Sequence, residues 1–235
     1  MTDVLPPPPD GHHRIAEYRI SARKKRSFHG VLDASRLLRS DLSSTRVELT
    51  RRGAEIELVV ENPLRHGTMK DVLLADVTAK GVVTRSLVRE LVSTSGAAVR
   101  REEVHDFAHE FFGFHEATYP EVALPFLLPW VSLNERRSIY AWINDRFVPK
   151  VYLERGSIAT VELPIGTRRA YEVIMYPDLN DWVPLGALLT KLSKPFTPKY
   201  HMWFDERSRE LVRFEGPYGP PGAAEIVFEL AREEG

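Results

Sequence analysis

The sequence has no cysteine among its 235 residues. This absence excludes disulfide bonds, thiolate nucleophiles and thiolate metal sites, although it leaves the redox compartment open. The sequence also has no excess of one charge, since 32 Lys and Arg stand against 33 Asp and Glu and the formal net charge is -1. A chain without a field of one sign attracts polyanions poorly, so we expect no nucleic-acid partner.

Long apolar runs are also missing. No stretch reaches the length of a membrane-spanning helix, so we expect no integral membrane segment. Residues 1–30 lack the apolar core of a signal peptide. We therefore expect either a cytoplasmic chain or the mature or trimmed form of an exported one, and the opening MTDVLPPPPDGHH fits the second alternative. Four consecutive prolines favour an extended segment, so residues 1–13 are predicted to be a disordered tail.

What the sequence does contain is alternation of apolar and polar residues, which is typical of half-buried strands. The alternation in STRVELTRRGAEIELVV runs on both sides of Gly53 and predicts a hairpin. A second hairpin is predicted about Lys80-Gly81, although the following SLVRELV could also form a helical turn. Seven more alternating segments follow from residue 138 onward, which brings the total to about a dozen strands.

The segment 102–133 lacks this alternation and is expected to contain the main non-β element. A short helix is predicted from Glu121 to Leu128, limited by Pro125. The sequence does not show the alternating strand-helix-strand order that would favour a parallel sheet. We therefore predict a mainly β protein, in which a large curved antiparallel sheet forms an open or closed barrel with one or two short helices. Residues 14–235 are predicted to form a single β-barrel-like domain.

Aromatic residues on the predicted strands are the candidate ligand-binding residues. A hydrophobic ligand in the concave face or lumen of the barrel would suit them, with Tyr hydroxyls, Trp N–H groups or His201 anchoring its polar end. The alternative is that a β core of this size needs these residues merely for packing. The predicted ligand-binding residues are Tyr140, Trp142, Tyr152, Tyr171, His201 and Trp203.

The stretch HMWFDERSRELVRFEG, residues 201–216, is interpreted as a hairpin. Trp203 should be largely buried in it, and Arg213 should face an acidic partner or solvent. Asp205 and Glu206 are interpreted as turn residues rather than as catalytic carboxylates.

Histidines in HDFAHEFFGFHE are the sharpest candidates for a metal site. His105 and His109 would share a face of a helix, with Glu110 and His115 close behind. The segment is not His-Glu-x-x-His, however, and its aromatic residues favour packing. Gly-rich phosphate loops are also absent. We therefore expect no metal and no cofactor.

The second half of the sequence, roughly residues 120–230, resembles an uncharacterised family of exported bacterial β-proteins. In the family pattern an apolar strand ends in Pro-x-Gly-Thr, an aromatic-containing strand follows, and an aromatic-x-Asp hairpin ends in Leu-Val-Arg-x-Glu. The matching residues are Pro164, Gly166, Thr167, Tyr171, Trp203, Asp205, Leu211, Val212, Arg213 and Glu215. That family is similar in architecture to periplasmic lipoprotein carriers, in which a curved sheet wraps a helix and holds acyl chains. The resemblance implies export, periplasmic or otherwise, and an apolar cavity, and it implies no catalytic residues.

These observations favour a non-catalytic protein that binds or carries a lipid or another hydrophobic small molecule. The alternative is a cofactor-independent enzyme, an isomerase, cyclase or hydratase, that acts on an apolar substrate in the same cavity. A perturbed His or carboxylate in the cavity would favour the enzyme. A third hypothesis, a purely structural module, predicts a filled core. The sequence identifies no catalytic residue and no oligomeric state.

Overall fold

The computed structural model describes residues 6–22, 43–64, 67–79, 81–94, 98–105, 107, 118–131, 138–143, 148–178, 198–217 and 225–235. Within these ranges the chain forms thirteen strands, one short α-helix and one 3-10 helix. The strands are β1 (His13–Ala22), β2 (Ser44–Arg52), β3 (Glu55–Leu64), β4 (Gly67–Thr78), β5 (Gly81–Ser93), β6 (Ala98–His105), β7 (Thr118–Pro120), β8 (Ser138–Trp142), β9 (Lys150–Leu163), β10 (Gly166–Pro177), β11 (Tyr200–Asp205), β12 (Leu211–Pro217) and β13 (Glu225–Glu234). The helix α1 is Leu124–Leu127, and the 3-10 helix is Leu128–Trp130.

All thirteen strands belong to one sheet, in the order β6-β5-β4-β3-β2-β1-β13-β12-β11-β10-β9-β8-β7. Strand β1 pairs with both β2 and β13, so the two halves of the chain meet there. Each pair is antiparallel except β7 with β8. Near the sheet ends, Val82 forms a parallel bridge with Val131, and Tyr119 donates a hydrogen bond to the Val82 carbonyl (2.6 Å). The sheet is therefore a nearly closed barrel, which confirms the predicted fold class.

Local sequence explains the hairpins of this barrel. Gly53 has φ of 60°, a conformation that glycine adopts without steric cost, and it turns the chain between β2 and β3. The apolar residues of both strands, such as Leu49 and Leu58, alternate with exposed or half-exposed polar ones and face the interior. The second predicted hairpin is β4 with β5, and SLVRELV is strand rather than helix. Lys80 lies outside the described residues.

The helix lies inside the barrel and is shorter than predicted. It begins at Leu124 rather than at Glu121, and Pro125 occupies its first turn. The 3-10 helix that follows also has a proline in its first turn, Pro129, which limits the continuation of α1. The described residues include no helix that is long and apolar enough to cross a membrane.

Residues from Pro8 onward lie against the sheet and do not form the disordered tail expected for 1–13. The Arg51 side chain donates to the carbonyl of Pro8, and the Arg51 amide donates to the carbonyl of His12 (2.8 Å). The amide of Gly53 donates to the Asp10 carboxylate (2.6 Å). The β2–β3 turn therefore holds this segment, whereas residues 1–5 lie outside the described part of the chain.

Candidate functional site

The interior of the barrel is filled near β1, β2 and β12. Phe126 of α1 packs on Tyr18 of β1, with ring centroids 5.6 Å apart. A gap of about 20 Å³ remains beside this contact. A gap of that size holds one water molecule, whereas small-molecule pockets measure about 300–1,000 Å³. The gap is lined by Arg14, Tyr18, Val47, Leu49, Phe126, Trp130, Glu210 and Leu211.

The polar groups at this gap have partners. The guanidinium of Arg14 contacts the carboxylates of Glu210 (2.7 Å) and Glu233 (3.1 Å). His12 contacts the other oxygen of Glu210 (3.1 Å). The Tyr18 hydroxyl donates to the carbonyl of Leu211 (2.8 Å). Satisfied buried pairs of this kind support a structural role, since no group is left to receive a ligand.

A second stretch of the concave face, on β9 and β10, is not filled. Register places Ile158 opposite Tyr171 and Arg155 opposite Val173. Tyr171 in turn lies opposite Phe204 of β11, which is fully buried, so this face of the hairpin continues the interior. Ile158 is nevertheless 45% exposed, and Arg155 is also exposed. We call Arg155, Ile158, Tyr171 and Val173 the open stretch.

The hydroxyl of Tyr171 is the unusual polar group of the open stretch. Its ring stacks on Phe204, with centroids 5.6 Å apart and an interplanar angle of 30°. The oxygen is buried and has no hydrogen-bond partner. Burial raises the pKa of Tyr171 to about 12, an effect that the positive charges of Arg209 and Arg155 oppose. Nη1 of Arg209, in the β11–β12 turn, is likewise buried without a partner.

Another polar cluster involves β4, β5 and the residue that follows β7. The Arg89 guanidinium contacts the buried carboxylate of Asp71 (2.6 Å). Burial raises the pKa of Glu121, the Arg89 charge lowers it, and the Asp71 charge raises it further. The pKa of Tyr200 is also raised, by burial first and then by the Glu121 charge. Because Glu121 is still exposed, solvent screens these charges and limits their effect.

Five of the six predicted ligand-binding residues lie on the outer face of the sheet. Tyr140 and Trp142 alternate with the inward residues Ile139 and Ala141 of β8, and Tyr152 alternates with inward residues of β9. Trp142 is nonetheless buried, because Phe107 packs edge-on against it at 5.5 Å. The residues on the outer face are Tyr140, Trp142, Tyr152, His201 and Trp203. Of the six, the concave face holds only Tyr171, which differs from the expectation of a shared lumen.

His201 and Trp203 belong to a network of charges on the outer face. His201 contacts Glu172 (2.7 Å) and stacks on Trp203, with centroids 5.9 Å apart. The guanidinium of Arg213 lies over the Trp203 ring (5.7 Å) and contacts Glu215 (2.5 Å). Arg213 therefore faces an acidic partner, as predicted, whereas Trp203 is half-buried rather than largely buried.

The carboxylate of Asp205 stabilises the turn that follows β11, as predicted. Oδ1 of Asp205 accepts hydrogen bonds from the amides of Arg207 (2.8 Å) and Ser208 (2.9 Å). This is the local geometry by which Asp stabilises a turn. Arg209 follows with φ of 64°, a left-handed conformation in which Gly or Asn is common.

A surface groove of about 440 Å³ separates this turn from the β9–β10 turn. Its charges are mostly matched within the protein. Arg169 contacts Glu206 (2.7 Å), and Arg168 contacts Glu233 (2.5 Å) and Asp205 (4.0 Å). Exposed pairs of this kind contribute little energy and leave little charge for a ligand.

Among the described residues, no cluster of three or more His, Asp or Glu side chains could hold a metal ion. This finding does not cover the histidines and the glutamate that were predicted as possible metal ligands. His109, Glu110 and His115 lie outside the described part of the chain, and only the backbone of His105 is described, as the last residue of β6.

Sequence reasoning did not single out Ile158, Arg209, Arg155 or Glu121. Ile158 belongs to an alternating segment, and nothing local shows that α1 fails to cover it. Arg209 and Tyr171 are far apart in sequence and meet only through the pairing of β10 with β11. The only local signal for the site was the positive charge of Arg209 in a tight turn, and charged turn residues are common on protein surfaces.

Solved structures that are similar to this chain share little sequence identity with it. No family model and no curated protein matches the sequence. A β-barrel-like protein of the domain of unknown function DUF1849 from Brucella abortus is similar in structure, with 8% identity, coverage of 96% of this chain and 98% of that one, and a TM-score of 0.43. A protein assigned as exported, with a YmcC-like fold, from Bacteroides fragilis has 11% identity, coverage of 97% and 98%, and a TM-score of 0.32. A protein assigned as a lipoprotein from Parabacteroides distasonis has 11% identity, coverage of 97% of both chains, and a TM-score of 0.34.

These solved structures are of the kind that the sequence resemblance named, since they are barrel-like or exported proteins. Similarities this low support no statement about ligand or activity.

Proposed function

We propose that the protein binds an apolar small molecule or lipid on the open stretch and carries it without changing it chemically. The observation on which this rests is Ile158, which is 45% exposed on the face that elsewhere forms the core. No other large hydrophobic residue in the described part of the chain is exposed to this degree.

The apolar surface near Ile158 is larger than one side chain. Val173 and Tyr171 are half-buried on the neighbouring strand, and Phe204 lies against the Tyr171 ring. Covering such surface with a hydrocarbon chain is favourable by about 25 cal/mol for each Å² removed from water. The filled interior cannot serve instead, because its gap of about 20 Å³ holds only water.

An extracytoplasmic location is part of this proposal. It follows from the sequence resemblance, which implies export. Fractionation of the native host with an antibody against the protein would test it, and recovery with the cytoplasmic fraction alone would contradict it.

Native mass spectrometry of the purified protein is the first test of binding. A co-purified apolar molecule, released on denaturation, is the expected result. The delipidated protein should then bind a fluorescent fatty acid in a saturable way, and the released extract should compete. If the delipidated protein binds no member of a panel of fatty acids, phospholipids, sterols and isoprenoids, the proposal fails.

Two isoleucine variants locate the binding surface. Ile158→Ser should weaken binding, because it removes the exposed apolar contact. Ile174→Ser is the matched control, because Ile174 lies on the other face of the same hairpin, opposite His201. Equal loss from both variants would show that the ligand does not lie on the concave face.

A second candidate is a cofactor-independent enzyme, favoured by one observation. Burial raises the pKa of the Glu121 carboxyl, the Arg89 charge opposes this and the Asp71 charge adds to it, and a raised pKa is the direction that proton donation requires. An isomerase, cyclase or hydratase needs such a donor.

Incubating the delipidated protein with apolar ligands that it binds, and analysing them for isomers or hydrated products, tests this candidate. Glu121→Gln should then abolish conversion and leave binding unchanged. Quantitative recovery of every bound ligand unaltered by the wild-type protein would exclude it.

A further inference from the structure

We propose that Arg209, Tyr171 and Arg155 form a binding site for the anionic headgroup of an amphiphile whose chain lies on the open stretch. This inference rests on the proposed function and adds the chemical class of the ligand, an apolar chain that ends in a carboxylate or phosphate.

The first argument is the state of the two hydrogen-bond donors. Nη1 of Arg209 and the hydroxyl of Tyr171 are both buried without a partner. Buried donors in native proteins are nearly always paired, and an unpaired one loses its hydration without compensation. A ligand oxygen that accepted both hydrogen bonds would remove this cost.

The second argument is charge. Neither Arg155 nor Arg209 has a carboxylate partner among the described residues, whereas two neighbouring arginines do. Arg169, on the same hairpin, contacts Glu206, and Arg213 contacts Glu215. Both guanidinium charges lower the pKa of the Tyr171 hydroxyl, against the effect of its burial. A carboxylate or phosphate would balance them, and a neutral headgroup would not.

The third argument is backbone conformation. Arg209 has φ of 64° and is the only residue other than glycine with a positive φ in the described part of the chain. Glycine fits this position without steric cost, whereas the Cβ atom of any other residue makes it less favourable. A functional demand on the guanidinium would explain why an arginine occupies the turn.

The relative positions of these residues support one site for both the headgroup and the apolar chain of an amphiphile. Phe204, which stacks on Tyr171, lies opposite Leu211, two residues after Arg209. Ile158 lies opposite Tyr171 on β9. The charged end and the exposed apolar side chain therefore flank the same tyrosine, as the head and chain of an amphiphile require.

Calorimetric titration of the delipidated wild-type protein with chain-matched oleic acid, oleoyl lysophosphatidic acid and oleyl alcohol tests the inference. We expect the better of the two anions to bind about tenfold more tightly than the alcohol or more, as charge-assisted hydrogen bonds imply. The two anionic arms distinguish a carboxylate from a phosphate headgroup. If acid, phosphate and alcohol bind equally, the headgroup site is wrong and the proposed function stands. If none of the three ligands binds and no member of the lipid panel binds, both the headgroup site and the proposed function are wrong.

Single-residue variants then test which residues bind the anionic headgroup. Arg209→Gln and Tyr171→Phe should each lower the affinity for the better anion by about tenfold, and leave that for oleyl alcohol within about twofold. Arg207→Gln is the matched control, since Arg207 is an exposed arginine of the same turn. Equal loss from Arg207→Gln and Arg209→Gln would show only a general charge effect and overturn the assignment.

Folding of each variant is checked by circular dichroism and thermal unfolding. If Arg209→Gln does not fold, Arg155→Gln replaces it, because Arg155 is exposed and its loss should not affect the core. Unchanged anion affinity in both Arg155→Gln and Tyr171→Phe would then reject the site.

Discussion

The filled interior beside β1 and the open stretch on β9 and β10 are parts of one concave face, yet they differ in what covers them. The four residues of α1 and three of the 3-10 helix span only about 12 Å. Strand β9, with 14 residues, extends about 46 Å. An insert this short fills the barrel near Tyr18 and does not reach Ile158. The same alternating pattern therefore yields core in one region and an accessible apolar surface in the other.

The filled interior and the open stretch also differ in how their charged side chains are paired. Around the filled part Arg14 is matched by two carboxylates, and Glu210 receives His12 as well. Around the open stretch Arg155 and Arg209 have no matching acid among the described residues. Satisfied pairs hold the first region in one structure, and the unmatched cations of the second are the basis of the proposed anion site. The comparison thus separates residues that should affect stability from residues that should affect binding.

Removing a core ring should have the largest effect. Phe204→Ala is expected to lower the free energy of unfolding by about 3–5 kcal/mol, because the side chain is fully buried and its loss leaves a cavity. Urea unfolding followed by tryptophan fluorescence measures it.

The neighbouring Trp203 is the control, since it points to the outer face and is half-buried. Trp203→Ala should cost about 1–2 kcal/mol through lost packing and the contact with Arg213. A cost for Trp203 equal to that for Phe204 would contradict the assignment of inner and outer faces.

The predictable part of this molecule was local. Gly53 between two alternating segments identified a hairpin, and Asp205 followed by Glu206 identified a turn, because neighbours in sequence determine both. Alternation also showed that Trp203 and Phe204 point in opposite directions. It did not show which of them points inward, because that depends on whether the adjoining strands bring Met202 and Leu211 to the same side.

The candidate site was harder to predict for the same reason. Tyr140 and Trp142 have the composition of a ligand pocket, but the register of β8 with β9 places them on the outer face, where Phe107 covers Trp142. Only the pairing of β10 with β11 brings Tyr171 beside the strand that leads to Arg209. No property of either residue alone indicates that its polar atom will be buried without a partner.

Breaking the ion pair of the filled region should have the next largest effect. Glu210→Gln leaves Arg14, whose side chain is only 12% exposed, with one carboxylate instead of two, so we expect a loss of about 2–3 kcal/mol. Glu206→Gln is the control, because the Glu206 pair with Arg169 is exposed and should contribute less than about 1 kcal/mol. Similar losses from both variants in urea unfolding would contradict the distinction between buried and exposed pairs.

Alkaline pH should report on the open stretch. The pKa of Tyr171 is about 12 in the folded protein and 10.0 in the unfolded reference, so the unfolded chain loses this proton first. Stability should therefore be fully present below pH 10 and fall as pH rises toward 12. Tyr171→Phe should make the fall smaller but not abolish it, since the pKa of Tyr176 is also raised to about 12. A fall of equal size in wild type and variant would show that the Tyr171 hydroxyl is not buried.

The smallest effect on stability is expected at Ile158. Ile158→Ser should change the free energy of unfolding by less than about 0.5 kcal/mol, because the side chain is 45% exposed. A ligand that binds only the folded state raises its stability in proportion to ln(1 + [L]/Kd), so ligand should raise the Tm of wild type more than that of the variant. Thermal unfolding with and without oleic acid measures both quantities. If the substitution alone costs about 2 kcal/mol, as burial of a core side chain would imply, Ile158 is covered in solution and the two regions of the concave face are alike.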